Sequence, residues 1–392
     1  MAAGCRTFRK ALTNETAEII IYPIDSWKHR AYQPVDVRRR KHAGKEAWQM
    51  EKKNLDWANL SFSYMKTDKR YVANYKNGAW DEGGLTGDAM ITMSEDAGVL
   101  QYSQSVFEGL KAYTTKDGRT VTFRPDLNAE RLYNSAKRLE IPPFPKDRFV
   151  EAVLEVIKAN EAWVPPYGTG ATLYLRPYIF GISPVIGVKP ADEYQFRIFT
   201  TPVGPYFKGG AKPIRVKISD FDRAAPHGTG NIKAGLNYAM SLHAIVLAHQ
   251  EGFAENIYLD PASRTYIEET GGANILFVNQ DGDLVVPKSD SILPSVTRRS
   301  LEYVAQHYLG MKVDERKVKL SEVFDGEFKE CGLCGTAAVI SPIGQINDHG
   351  KEYTFASGME EMGPVMSKLR STLLGIQEGE IEAPEGWIYE VK

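Results

Sequence analysis

Apolar and polar positions follow two rhythms along the chain, and the rhythm changes repeatedly. From Tyr71 to Tyr113, short apolar runs are broken by KNG at 76–78 and DEGG at 81–84, with KDG following at 116–118. This pattern predicts short strands joined by tight turns. DLNAERLYNSAKRLEI, 126–141, sets Leu127, Leu132, Ser135 and Leu139 at helical spacing, with Asp126 as cap and Pro142, Pro143 and Pro145 as terminators. DRFVEAVLEVIKANEAWV, 147–164, predicts a second amphipathic helix. GATLYLRPYIFG, 170–181, and EYQFRIFTTPVG, 193–204, read as strands. GPYFKGG, 204–210, then has three glycines and a proline, the composition of a linker or mobile loop.

The second half begins with PIRVKI as a strand and LNYAMSLHAIVLAHQEGF, 236–253, as a helix closed by glycine. AENIYLD, RTYIEET, NILFVN and DLVVP predict strands joined by DPAS and QDGD turns. SVTRRSLEYVAQHYLG, 295–310, predicts a helix after Pro294, and EEMGPVMSKLRSTLLGIQEG another near the end. Strands and helices mix without steady βαβ alternation, which predicts an α+β protein. With 392 residues, two domains are expected. The boundaries drawn are an extension at 1–52, a smaller domain at 53–203, an interdomain loop at 204–210 and a larger domain at 211–392.

Composition narrows the class of partner. A net charge of −2 gives no global field for nucleic acid or an anionic membrane. No apolar run approaches the roughly 18 residues that span a bilayer. Three cysteines in so long a chain argue for a reducing compartment, and a cytoplasmic protein is expected. Cys331 and Cys334 form a lone CxxC. Without a second ligand pair no metal is expected, and the two read as buried or partly buried thiols, with redox sensing as the alternative. The start, MAAGCRTFRKAL, is basic and only faintly like a transit peptide. KHRAYQPVDVRRRKHAGK, 28–45, reads as a solvated extension rather than a binding patch.

Candidate chemistry centres on GTGNIKAGLNYAM, 228–240, where Lys233 stands among glycines. The dinucleotide pattern fails because the third glycine is two residues late. The phosphate-loop pattern fails because neither Gly precedes nor Ser/Thr follows the lysine. A Schiff-base lysine remains, flanked by apolar Ile232 and Ala234; taken alone, a solvated surface lysine is the commoner outcome. Other stretches add weight. FRPDLN offers Arg124 to a phosphate. ILPSVTRRSL opens a helix with the free amides of Val296 and Thr297. CGTAAVISP adds Thr336, and EETGGAN puts Glu269 where a carboxylate can pair with a protonated ring nitrogen.

In order, YSQSVFEGLKAY, FRPDLN, LYLRP, GPYFKGG, GTGNIKAGLNY, EETGGAN, ILPSVTRRSL and CGTAAVISP resemble the branched-chain amino-acid aminotransferases, from about Leu55 to the C-terminus. These are pyridoxal 5'-phosphate enzymes of fold type IV, with a small N-terminal α/β domain and a larger, pseudo-barrel-like C-terminal one. The resemblance implies that Lys233 carries the Schiff base and is the catalytic residue. Tyr238 would bond the cofactor's phenolate, Arg223 would lie nearby, and Glu269 would face the ring nitrogen. Arg124, Val296, Thr297 and Thr336 would hold the phosphate. On the substrate side, Tyr174 and Arg176 look like the carboxylate pair, with backbone groups of Thr336 and Ala337 taking the α-carboxylate. Tyr102, Phe107 and Tyr206 resemble the aromatic walls, which core packing alone would also explain. Ile186 and Val188 match a loop reaching the neighbouring subunit, implying a homodimer with a shared site.

The activity implied is exchange of amino groups between leucine, isoleucine or valine and 2-oxoglutarate. Other fold type IV enzymes, D-amino-acid aminotransferase or aminodeoxychorismate lyase, are the nearest alternatives. A non-catalytic binder of phosphate ligands is a third. The CGLC precedes the GTA motif instead of following it, so thiol regulation is not carried over. Gly272 stands where relatives often have a larger hydroxyl residue. Residues 1–49 match nothing in the family, and trimming to Met50 is expected to leave folding and activity intact.

Overall fold

The computed structural model of the protein describes residues 51–206 and 211–392. The basic stretch at 28–45, the trimming expectation for 1–49 and most of the loop 204–210 lie outside the described residues. Met50–Lys392 forms one compact unit. Among the described residues, its strands form a nine-stranded and a ten-stranded sheet.

The first sheet runs in the order Ile388–Glu390, Thr120–Phe123, Leu110–Thr114, Thr172–Gly181, Tyr194–Val203, Arg70–Lys76 and Ala79–Trp80. Its pairings are antiparallel, and the long strands Thr172–Gly181 and Tyr194–Val203 pair from Thr172↔Val203 to Gly181↔Tyr194. Helices Pro125–Arg138 and Lys146–Ala159 cover one face. Leu132, Ala136, Phe149, Val153 and Ile157 bury there against Leu173, Leu175 and Phe196. The first helix begins two residues earlier than a cap at Asp126 would place it, and Asp126 lies inside its first turn instead of capping it. Arg124, in the left-handed region at φ 46°, is the N-cap, with Pro125 at the first helical position, where its missing N–H costs nothing.

The second sheet closes on itself. Asn274–Asn279, Phe328–Gly335, Val339–Asp348, Ile214–Ile218, Glu255–Leu259 and Tyr266–Thr270 are neighbours in turn, and Glu269↔Asn274 joins the last strand to the first. Val216, Ile257, Ile275, Phe277, Phe328 and Ile343 pack together in one core. Helices Val296–His307 and Pro364–Gln377 pack Leu301, Val304, Leu369 and Leu373 against Leu276, Val278 and Ile340 in another. The architecture is thus α+β, an open sheet with helices beside a closed barrel. We propose 204–210 as the boundary between the two lobes. One strand crosses it: Ile388–Glu390, near the C-terminus, pairs with Thr120–Phe123 of the first sheet. Among the described residues no helix is long and apolar enough to cross a membrane.

Cys331 and Cys334 are both buried and unpaired. Three apart on one strand, they point to opposite faces. Cys331 packs with Phe277 and Ile343, Cys334 with Leu276 and Ile340. Burial holds both thiols well above their usual range.

Candidate active site

Lys233 lies against strand Ser105–Phe107 of the first sheet and helix Pro125–Arg138. Its carbonyl accepts the Phe107 amide at 3.0 Å, and its own amide donates to Ser135 Oγ at 3.0 Å. Ile232 and Ala234 on either side are buried, as expected of a tucked-in lysine. The loop that presents it is held by Asn237, whose Nδ2 donates to the carbonyls of Thr229 and Ile232 at 2.7 and 3.0 Å. Gly230 must lack a side chain: a Cβ there would overlap the Ser291 carbonyl and crowd Arg223. The glycines and the asparagine around Lys233 therefore shape and brace the loop.

Lys233 Nζ points into a cavity of about 220 Å³ and donates to Tyr238 Oη at 2.8 Å. It lies over the Phe107 ring, 4.8 Å from its centroid. Glu269 also lines the cavity, buried to 2% exposure. Its Oε1 accepts the Leu293 amide at 2.8 Å and its Oε2 accepts Asn274 Nδ2 at 2.7 Å. Arg223 pairs with the same carboxylate while donating to the carbonyls of Gly230 and Ser291. Burial pushes the Glu269 carboxyl up to about 7, although Arg223 and the two hydrogen bonds act the other way. A carboxyl balanced near neutrality suits exchange of a proton with a basic ring nitrogen.

Another side of the cavity suits an anion. Helix Val296–His307 starts here, with Ser295 Oγ capping the Arg298 amide. The amides of Val296 and Thr297 have no acceptor inside the helix. Val296, Ser295 and Thr336 line the cavity; Thr297 faces a small adjoining hollow with Val296 and Thr336. Arg131 lines the cavity as well. Its guanidinium makes a twofold contact with Glu108, Nε to Oε1 and Nη2 to Oε2 each at 2.7 Å, and Nη1 donates to Pro294 O at 3.0 Å.

Tyr174 and Arg176 form a further wall. Arg176 Nη2 donates to Tyr174 Oη at 3.0 Å, and its guanidinium lies 4.9 Å from the Phe107 centroid. Its Nε is buried without a hydrogen-bond partner. No ion pair is recorded for Arg176 among the described residues. The side chain is only partly buried, and its enclosed Nε is short of an acceptor. The Ala337 backbone completes the wall.

Lys233, Tyr238, Glu269, Arg223, Phe107, Tyr174, Arg176, Val296, Thr336 and Ala337 thus gather around one hollow, with Thr297 beside it. Arg124 does not join them. It lies over the Trp387 ring at 4.3 Å and donates to Ser300 Oγ at 2.9 Å, turned away because the left-handed N-cap directs its side chain toward the C-terminal segment. Arg131, two helical turns on, lines the cavity instead. The sequence held a signal for it: Asn128, Arg131 and Ser135 are polar residues at helical spacing, all buried. Phe62, Gly109, Asn274 and Leu293 are further lining residues that the sequence reading missed. Tyr102, Ile186, Val188 and Tyr206 are not part of this chain's cavity wall. Tyr102 donates to the Ile186 carbonyl, and Ile186 and Val188 are 85% and 88% exposed.

The family model for class IV amino-transferases matches residues 105–346. The branched-chain-amino-acid aminotransferase of Haemophilus influenzae is 50% identical over 345 residues, covering 87% of this chain and 100% of that protein. The chain belongs to the class IV aminotransferases. It is an amino-group transferase, of the branched-chain type. The crystal structure of the Escherichia coli branched-chain amino acid aminotransferase matches with a TM-score of 0.69 and 28% identity, over 83% of this chain and 100% of that one. The T.th. branched-chain amino acid aminotransferase with pyridoxamine 5'-phosphate gives 0.70 and 26%, over 84% and 100%. The cavity, with a lysine, a buried carboxylate and a helix start around it, is the enzyme's candidate site for such a cofactor.

Proposed function

We propose that the enzyme transfers the amino group of leucine, isoleucine or valine to 2-oxoglutarate, giving branched-chain 2-oxo acids and L-glutamate, with pyridoxal 5'-phosphate held by Lys233. The carrying observation is the placement of Lys233 Nζ and Glu269 on one small cavity that also takes in a helix N-terminus. The residues fit the group. Arg131, Val296, Thr297 and Thr336 would hold its phosphate, Tyr238 its phenolate oxygen and Glu269 its ring nitrogen. When bound, the cofactor supplies an aldehyde for the amine and a ring that withdraws electrons from the substrate α-carbon.

The chain's residues do the rest. Lys233 Nζ takes the proton from the substrate Cα and returns it on the cofactor side, as base and then acid. Tyr238 Oη, 2.8 Å away, keeps that amine in line. Arg223 and Asn274 fix the Glu269 carboxylate so that it need not reorganise during reaction. The amides of Thr336 and Ala337 receive the α-carboxylate. Arg176, short of an acceptor in the free enzyme, receives the second carboxylate of glutamate. Phe107 and Phe62 give the apolar wall for a branched chain. Discrimination by one methylene is worth only about 1–3 kcal/mol, so all three amino acids are accepted.

The same reading includes a homodimer. Ile186 and Val188 project from the body, and Met240, Leu242 and Val246 are exposed on helix Gly235–Gln250. Such apolar exposure supports a second copy as partner, with Ile186, Val188, Tyr102 and Tyr206 facing the neighbour's cavity. A cytoplasmic setting is supported by the two unpaired thiols. An amino-donor panel with both enantiomers, 2-oxoglutarate as acceptor, tests the function. L-leucine, L-isoleucine and L-valine should react and their D-forms should not; preference for D-alanine would point to the D-specific type.

A further inference from the structure

Thr336 and Ala337 lie in the turn between strands Phe328–Gly335 and Val339–Asp348. Gly335 pairs with Val339, so the turn is only 336–338. Val339 has φ 64°. A β-branched residue in the left-handed region is an outlier, because its side chain crowds the backbone. The Ile340 amide donates to Ala338 O at 2.9 Å, closing a tight loop around Val339. A turn in this conformation needs support from its surroundings.

Two cations supply it. Lys111, on strand Leu110–Thr114, donates from Nζ to Ala337 O at 2.7 Å. Arg370, on helix Pro364–Gln377, donates from Nε to Ala338 O at 3.3 Å. Lys111 is 9% exposed, flanked by buried Leu110, Ala112 and Tyr113, and is absent from the main cavity's wall. It faces the small hollow shared with Thr297, Thr336 and Gln377. Burial and the nearby Arg370 bring its ammonium down to about 8, with Glu378 acting in the opposite direction. A lysine kept in so unfavourable a place has its recorded hydrogen bond on the carbonyl of a cavity residue.

We propose that Lys111 is a positioning residue for the substrate carboxylate: with Arg370 it clamps the consecutive carbonyls of Ala337 and Ala338, and so holds the strained turn that offers its amides to the cavity. The Ala337 carbonyl shares its rigid peptide plane with the Ala338 amide, and the Ala338 carbonyl shares its plane with the Val339 amide. The two bonds therefore fix the planes that directly follow Thr336 and Ala337 and limit rotation of the short turn that carries their amides. The inference rests on the aminotransferase reading of the cavity.

Lys111→Met keeps the stem and removes the ammonium. In the cofactor-loaded enzyme, KM for both L-leucine and 2-oxoglutarate should rise about tenfold, the scale of one charge-assisted hydrogen bond. The Kd of 4-methylvaleric acid, read by calorimetry, should rise by a similar factor, with kcat changed less than about threefold. Lys111→Arg should restore most of the affinity. Val339→Gly, which relieves the strain, should restore part of it in the Lys111→Met background. Unchanged KM and Kd in Lys111→Met, or a fall in kcat alone, overturns the clamp. Should Lys111→Met fail to fold, Arg370→Met answers the same question: weaker 4-methylvalerate binding supports the clamp, and unchanged binding overturns it. Wild-type enzyme that binds 4-methylvalerate but transfers nothing from L-leucine would defeat the functional reading itself, and the clamp's assigned role with it.

Discussion

Replacing Arg131 with methionine should cost far more stability than an ordinary charged-pair deletion. Glu108 is wholly buried and Arg131 is 8% exposed. The carboxylate has four recorded donors: two from Arg131, Asn128 Nδ2 at 2.7 Å and the Gly109 amide at 3.1 Å. Both of the last two reach Oε2. Arg131→Met therefore leaves Oε1 without a donor and a buried negative charge without its counter-ion. Deleting one member of a buried pair costs about 3–5 kcal/mol, against roughly 0–1 for an exposed one. The paired replacement Glu108→Leu with Arg131→Met removes both charges together. It should be less destabilising than the sum of the single changes by about 2 kcal/mol or more. Urea unfolding of the cofactor-free protein at pH 7, run on wild type, both singles and the double, measures this. A single variant within about 1 kcal/mol of wild type, or strict additivity around the cycle, would refute the reasoning. The same Arg131→Met protein should bind pyridoxal 5'-phosphate more weakly, since the arginine also lines the cavity.

Arg176→Leu should raise KM for 2-oxoglutarate by about tenfold or more while KM for L-leucine stays within a few-fold, because only the dicarboxylate needs the guanidinium; equal effects on both substrates in steady-state assays would contradict that role. Glu269 gives a pH signature in the cofactor-free protein. Its folded carboxyl, near 7, lies above its ordinary value of 4.5, so between those values the unfolded chain sheds a proton that the folded one keeps. That contribution to stability is present below 4.5 and is lost as pH rises through the window. The melting temperature of the wild type should therefore fall relative to that of Glu269→Gln as pH rises from 5 to 8, whatever constant offset the substitution introduces, and parallel curves would count against it. Oxidising agents should leave activity unchanged, since Cys331 and Cys334 lie on opposite faces of one strand; a thiol count that falls by two on mild oxidation of native enzyme would overturn this.

Much of the fold was legible because its period is local. The helices over Pro125–Arg138, Lys146–Ala159 and Val296–His307, and the strand Asn274–Asn279, follow directly from spacing and turn residues. Other features depend on distant partners. The strand Ile388–Glu390 exists because Thr120–Phe123 offers it an edge, and nothing in the short IYE run announces that. The strands flanking 336–338 were obscured by small residues and a proline, and are defined by pairing with Asn274–Asn279 and Ile214–Ile218. Among site residues, Lys233 and Glu269 stood in glycine-rich segments that attract attention. Arg131 was hidden inside an amphipathic helix, where a buried arginine looks like one more charged position. Arg124 was favoured by its place just before the helix, but its left-handed backbone aims it at Trp387.

The central claim is that Lys233 holds pyridoxal 5'-phosphate in the cavity and hands it to a branched-chain amino acid. The most direct measurement is the absorption spectrum of purified wild-type and Lys233→Ala protein before and after L-leucine. The account predicts a cofactor band in the wild type that shifts to the amine form on addition of L-leucine and returns with 2-oxoglutarate, with no such cycle in Lys233→Ala. A band that L-leucine leaves untouched, or an undiminished cycle in the alanine variant, would contradict it.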